Sequence, residues 1–218
     1  MAKKKVLIVD DHPVVRQGLA AFINGEDDFM VCGDTEDAGG AIKLINELDP
    51  DIIIADLSLK GTSGIELASA VRARFDIPVL ILSMHDENFY AERAIRAGAR
   101  GYIMKKESME TVVKALRNIL DGKIYVSDVL KERLLGRLLA SPGDIVRSPL
   151  ESLTNREMDV FQRIGKGLSN RHIARELSLS VKTVETYRSR IIDKLKLKDS
   201  SELALYAVKW HQSGDHND

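Results

Sequence analysis

Asp51-Ile52-Ile53-Ile54-Ala55-Asp56-Leu57-Ser58-Leu59-Lys60-Gly61-Thr62-Ser63-Gly64 is an apolar, β-branched run that ends in a carboxylate and gives way to Gly, Ser and Thr. Three consecutive isoleucines without polar alternation suit a parallel strand covered by helices on both faces, and the Gly/Ser/Thr cluster ends it. Asp56 therefore falls at the carboxyl end of a strand. In an open α/β sheet, ligands bind at that edge, because the loops there enclose a crevice into which helix N-termini point. A second run, Val6-Leu7-Ile8-Val9, ends in Asp10-Asp11. Carboxylates crowded at the tips of two parallel strands repel one another unless a cation joins them. An oxygen-only set of this density suits a hard divalent ion such as Mg2+. Taken singly, the same acids also read as a helix cap before Pro13 and a strand terminator.

Outward from these runs the apolar period alternates between strand and helix. Val14, Val15, Leu19, Phe22 and Ile23 follow helical spacing up to Gly25, Phe29 to Cys32 is a short strand, and Ala41 to Leu48 is helical. Gly64 to Phe75 reads as helix and Pro78 to Leu82 as strand. Ala91 to Ala97 reads as helix, Gly101 to Met104 as strand and Ser108 to Gly122 as helix. Five strands alternating with five helices imply right-handed βαβ crossovers and a doubly wound, five-stranded parallel sheet over residues 1–125. Helical spacing continues from Val126 to Leu139. Ala140-Ser141-Pro142-Gly143-Asp144, with Pro149 after it, then marks a connection, so residues 126–150 form a helical linker with a flexible end. Beyond it the chain reads as a small all-α domain over 151–212: Thr154 to Gly165, Ser169 to Leu177, Ser180 to Leu195, and Asp199 to Gln212. Thr154 with Glu157, and Asp199 with Glu202, have capping-box spacing.

The 218 residues are 44% hydrophobic and 30% charged, which describes an ordinary globular protein. No apolar run approaches membrane-spanning length, and Met1-Ala2-Lys3-Lys4-Lys5 leads into a strand, so a cytoplasmic protein without a membrane partner is expected. Cys32 is the single cysteine, and none of the five histidines has zinc-ligand spacing. Residues 151–211 hold 12 Lys/Arg against 8 Asp/Glu, and the remainder 20 against 25. A basic C-terminal module thus follows a mildly acidic domain.

Ser83 ends the Leu80-Ile81-Leu82 strand and Lys105 follows Tyr102-Ile103-Met104. A strand-end carboxylate beside a metal, a hydroxyl and an ammonium suits a nucleophile toward phosphorus, since the cations neutralise charge on the transferring group. With these residues in view, residues 1–125 resemble the receiver domain of two-component response regulators, which has a flavodoxin-like fold. The resemblance implies that Asp56 accepts a phosphoryl group from a sensor histidine kinase or a small phosphodonor. It further implies that Asp11, Asp56 and the Ser58 carbonyl ligate Mg2+, with Asp10 acting largely through metal-bound water. Lys105 would pair with the phosphoryl oxygens, Ser83 would hydrogen-bond one of them, and Tyr102 occupies the aromatic switch position, free to turn inward behind Ser83. The face over 89–110 would then form a dimer or release the output domain. Lys60 departs from the proline common four residues after the acceptor, and His85 is a candidate for adjusting water access.

Ser180 to Leu195 is two-faced, with Val181, Val184, Ile191, Ile192 and Leu195 at core spacing and Lys182, Glu185, Thr186, Ser189 and Asp193 on another side. With the short helix Ser169 to Leu177 before it, this is a helix-turn-helix signal. Leu153-Thr154-Asn155-Arg156-Glu157 through Trp210 resembles the LuxR-type DNA-binding domain of the NarL/FixJ group. By that likeness the 180–195 helix enters the major groove of double-stranded DNA. Glu185, Thr186 and Ser189 would then face base edges, and Lys182, Thr183, Tyr187, Arg188, Arg190 and Lys194 would meet phosphates. Glu185 either accepts from cytosine N4 or is a solvated helix residue. The last helix, with Leu203, Ala207 and Trp210 at i, i+4, i+7, would join two copies as a homodimer on DNA. RNA polymerase is a further expected partner. An Asp-nucleophile phosphohydrolase is the enzyme alternative, but it needs an acid/base carboxylate where Ser58 stands, so a non-enzymatic transcriptional regulator is expected.

Overall fold

The computed structural model describes residues 2–59, 61–85, 87–139 and 149–214. The chain divides into two compact units, Met1–Ala140 and Ser141–Asp218. In the first, strands β1 (Lys4–Val9), β2 (Phe29–Thr35), β3 (Ile52–Asp56), β4 (Val79–Ser83) and β5 (Gly101–Met104) form one sheet of order β2-β1-β3-β4-β5, parallel at every pairing. Helices α1 (Pro13–Asn24), α2 (Ala38–Leu48), α3 (Gly64–Arg74), α4 (Glu87–Ala97) and α5 (Met109–Leu120) cross between the strands. The unbroken apolar runs predicted as central strands are buried throughout: Val6 to Val9, Ile52 to Asp56 and Val79 to Ser83. One layer of core joins Val6, Ile8, Ile52, Ile54, Leu80 and Leu82 to Leu19 and Ile23 of α1 and to Val112, Val113, Leu116 and Ile119 of α5.

Two boundaries differ from the sequence expectation. β2 runs on past Cys32 to Thr35, half-exposed at the sheet edge, and its register against β1 shifts between Val6 and Leu7. That irregularity breaks the two-residue period that a sequence reading follows. α4 starts at Glu87 and not at Ala91, because its first turn carries polar residues around the buried Tyr90. After β3, Ser63 caps α3 by accepting from Glu66 N–H, and Glu66 returns a bond to Ser63 N–H. Gly64 sits against the strand end so closely that a Cβ there would lie 2.2 Å from the Asp56 carbonyl oxygen. Glycine is what lets α3 start directly behind Asp56.

A sixth helix, α6 (Asp128–Leu139), belongs to the first unit and packs on α4, so the sequence boundary at 125 separates two parts of one body. Among the described residues the second unit comprises a 3-10 turn, Pro149–Ser152, followed by α7 (Asn155–Gly165), α8 (Asn170–Glu176), α9 (Val181–Leu195) and α10 (Ser200–Gly214). Thr154 and Glu157 form the expected capping box. Asp199 also caps α10 through Ser201 N–H and Glu202 N–H, but the Glu202 carboxylate accepts from Lys198 N–H. Phe161 lies at the centre of this core, with the ring centroids of Tyr206 at 5.8 Å and Trp210 at 5.3 Å.

The expectation that Leu203 and Ala207 meet a second copy is overturned. Both are 0% exposed inside their own domain, and Trp210 packs edge-on against Phe161. The outward side of α10 carries Leu205, 56% exposed. Val181, expected in the core, is exposed at the start of α9. Among the described residues no helix is long and apolar enough to cross a membrane.

Candidate functional site

The carboxyl ends of β1, β3, β4 and β5 meet at one edge of the sheet. Asp10 and Asp56 are 1% and 4% exposed there, and Ser83 is fully buried beside them at the end of β4. Lys105 reaches back from β5 and sets its ammonium 2.7 Å from Asp10 Oδ2 and 3.0 Å from Asp56 Oδ2. Its own N–H donates to the Ser83 carbonyl at 2.7 Å, which fixes the end of β5 against the end of β4. Asp10 is oriented in turn by His12 N–H, which donates to Oδ1 at 2.8 Å.

Burial is the largest influence on Asp56 and pushes its carboxyl up to about 6; the Lys105 charge opposes this and the Asp10 charge adds to it. Burial also acts to lower the Lys105 ammonium, but Asp56 and Asp10 together hold it above its ordinary value. The ammonium is therefore secure while the Asp56 carboxyl is raised to about 6. Three carboxylates against one ammonium leave excess negative charge. Asp11 Oδ1 is buried without a hydrogen-bond partner among the described residues, although His12 Nδ1 stands 2.7 Å away as an ion-pair contact off the hydrogen-bond line. Ligand atoms from Asp10, Asp11, His12 and Asp56 all lie within 4.8 Å of one another. Crowded hard oxygens, one of them unpartnered, fit a small divalent cation.

The loops around the pocket hold the side chains that the sequence singled out. Ser58 N–H donates to the Asp56 carboxyl, and Ser58 Oγ lies 3.1 Å from His85 Nε2. Ser83 Oγ accepts from His85 N–H at 2.9 Å, which leaves its own hydroxyl hydrogen free to donate. Tyr102 is 1% exposed with its hydroxyl donating to the His85 carbonyl at 2.9 Å, so the ring already lies inward. His85 is thus a junction between the Ser58 loop, Ser83 and Tyr102. Only its side chain had a sequence signal; its backbone bonds had none. Lys60 lies outside the described residues.

In the second unit, α8 and α9 are joined through Ser178 in the left-handed region (φ 54°), and Leu179 N–H donates to Ala174 O at 2.8 Å. Ser180 caps α9 on Thr183 N–H. Lys182, Glu185, Thr186, Ser189 and Arg190 are exposed; Thr183, Tyr187 and Arg188 are half-buried, and burial pushes the Arg188 guanidinium down. Lys194, expected at a phosphate, already has a partner within its own domain. Its ammonium is held 2.7 Å from Glu157 Oε2, and Glu157, 2% exposed, also accepts from Thr154 N–H at 2.7 Å. Lys194 therefore ties α9 to the start of α7.

A parallel sheet with acids and a lysine at its carboxyl edge, ahead of a basic helix-turn-helix, agrees with two family models. One, the response regulator receiver domain, matches residues 6–117; the other, bacterial regulatory proteins of the luxR family, matches residues 151–207. The chain belongs to the LuxR-family response regulators. It is 36% identical over 210 residues to the oxygen regulatory protein NreC of Staphylococcus carnosus, covering 94% of this chain and 97% of that one. Among solved structures, the response regulator ChrA of a heme-sensing two-component system is 29% identical with a TM-score of 0.53, covering 97% and 99% of the two chains. RcsB, solved as two dimers bound to two parallel DNAs, is 25% identical with a TM-score of 0.55, covering 94% and 98%. This response regulator is a phosphorylation-dependent transcription regulator, and receiver domains of its kind bind Mg2+ at an acidic pocket.

Proposed function

We propose that Asp56 is the phosphoacceptor and that the chain binds DNA through α9 as a dimer. An Asp56 carboxylate oxygen attacks phosphorus; a P–O bond forms as the bond to the donor breaks, and the donor, a sensor kinase's phosphohistidine or a small acyl phosphate, leaves with the electron pair. With its carboxyl titrating near 6, Asp56 is mostly ionised at neutral pH. Lys105 neutralises charge on the phosphoryl oxygens, and the free Ser83 hydroxyl donates to one of them. Asp10, Asp11, Asp56 and the Ser58 carbonyl would hold Mg2+, which supplies further charge neutralisation on the transferring group. The observation that carries this reading is the Lys105 ammonium standing between Asp10 and Asp56 beside the Asp11 carboxylate, all at one strand edge.

On DNA, the exposed Glu185, Thr186 and Ser189 face base edges, and Lys182, Thr183, Tyr187, Arg188 and Arg190 approach the backbone. Two copies meet through the outward side of α10 around Leu205. RNA polymerase is the further partner in the cytoplasm. RcsB's capture as dimers on DNA supports this arrangement. The test is incubation with acetyl phosphate and Mg2+, read by intact mass and by DNA gel shift. Wild type should gain one phosphoryl group and bind DNA more tightly; Asp56→Asn should do neither. A phosphoryl group gained by Asp56→Asn would refute the assignment.

A further inference from the structure

Among the residues whose donor atoms cluster at the rim, Asp10, Asp11 and Asp56 offer oxygen and His12 offers nitrogen. His12 stands immediately before Pro13, the first residue of α1. A proline restrains the residue ahead of it to extended backbone, and His12 accordingly has φ −98° and ψ 107°. It is the N-cap of α1, yet its side chain makes no capping bond. The ring turns to the acids instead: Nδ1 lies 2.7 Å from Asp11 Oδ1 and 3.2 Å from Asp10 Oδ1. The two oxygens of Asp10 are thereby divided, Oδ2 meeting the Lys105 ammonium and Oδ1 meeting the ring and the backbone N–H of His12.

Two ligands in adjacent positions of an octahedron, each about 2.1 Å from the metal, stand about 3.0 Å apart. The two Nδ1 separations bracket that edge, so the ring is placed to share an ion with the carboxylates as well as to pair with them. What a nitrogen donor contributes depends on the ion. Mg2+ gives up water reluctantly and takes oxygen, whereas first-row transition cations gain from imidazole, increasingly from Mn2+ through Co2+ to Ni2+. We propose that His12 Nδ1 is a ligand of the pocket ion, so that the acceptor site prefers a first-row transition cation to Mg2+ at equal concentration. The proposal deepens, and rests on, the reading of Asp10, Asp11, Asp56 and the Ser58 carbonyl as the cation site. The His12 side chain is 65% exposed, so the ring can also swing aside and leave Mg2+ to the oxygens alone. A rival role for the ring has the opposite consequence. As an imidazolium held by two carboxylates it would take the cation's place, and its removal would tighten every divalent ion alike.

The experiment measures Co2+ and Mg2+ affinity of the full chain by calorimetry, with Mn2+ as a spin probe for pulsed EPR, in wild type, His12→Ala and Asp11→Asn. His12→Ala keeps the backbone N–H that orients Asp10 and removes an exposed ring, so the fold should stay intact. Wild type should bind Co2+ more tightly than Mg2+, and the ratio of the two affinities should fall about tenfold in His12→Ala. Bound Mn2+ should show nitrogen modulation from a directly ligated imidazole in wild type and none in His12→Ala. Asp11→Asn should lose the modulation too, since the ring alone does not hold the ion. An affinity ratio unchanged in His12→Ala, or modulation that survives either substitution, would overturn the proposal. If neither Co2+ nor Mg2+ binds wild type, the cation-site reading falls and takes the proposal with it; if both bind and the ratio ignores His12, only the role of His12 falls.

Discussion

Replacing Lys194 by Met distinguishes a structural tie from a DNA contact on the recognition helix. Glu157 is 2% exposed, and its Oε2 accepts from Lys194 Nζ and from Thr154 N–H, each at 2.7 Å. Removing one member of a buried pair costs about 3–5 kcal/mol, but the Lys194 side chain is 36% exposed, so water recovers part of the loss and about 2 kcal/mol is expected. Trp210 is the only tryptophan and packs against Phe161 of α7, so its fluorescence follows unfolding of the output unit within the full chain. Urea titration should show the midpoint falling in Lys194→Met, with much smaller further loss when Glu157→Gln is added. The pH dependence has a defined sign. Burial raises the Glu157 carboxyl, yet Lys194 and Thr154 hold it below its ordinary value of 4.5. The pair's contribution is then complete above 4.5 and fades as pH falls through the lowered value, so wild type and Lys194→Met converge in acid. A phosphate contact would behave otherwise. Stability would stay unchanged, and the slope of log K against log salt would fall by about 0.9 for the one lost contact. That pair of results would refute the reasoning.

Other substitutions test the remaining assignments. Leu203→Ala should cost about 2–5 kcal/mol by emptying a fully buried site, whereas Leu205→Ser should leave urea stability nearly unchanged and weaken dimeric DNA binding in gel shifts. Gly64→Ala drives a methyl toward the Asp56 carbonyl and should destabilise the receiver by about 1–3 kcal/mol, with weaker Mg2+ binding by calorimetry. Lys105→Ala leaves Asp10 and Asp56 without their ammonium. Thermal melts should show Mg2+ stabilising this variant more than wild type, and chelation should abolish phosphoryl uptake in both.

What the sequence made legible follows from how each segment is buried. β1, β3 and β4 are covered on both faces, so they appear as unbroken apolar runs, and their ends can be located to the residue that carries the acid in β1 and β3 and the serine in β4. β2 is half-exposed and slips register after Val6, so its last three residues were missed. The i, i+4, i+7 spacing of Leu203, Ala207 and Trp210 identified residues that share one face of α10. Periodicity does not say whether such a face turns inward or outward, and this one turns inward. The inward Tyr102 and the junction at His85 depend on the backbone N–H and carbonyl of His85, in the loop after β4, meeting side chains from the ends of β4 and β5. Backbone carbonyls have no residue type, so no sequence pattern announces them.

The pocket draws Asp10 from the first strand and Lys105 from after the last, with Asp56 and Ser83 between them. During synthesis, therefore, the acids accumulate at the rim before the lysine that balances them has left the ribosome. A partly translated chain carries the carboxylates without their ammonium, and the pocket is complete only once the chain has been made through Lys105.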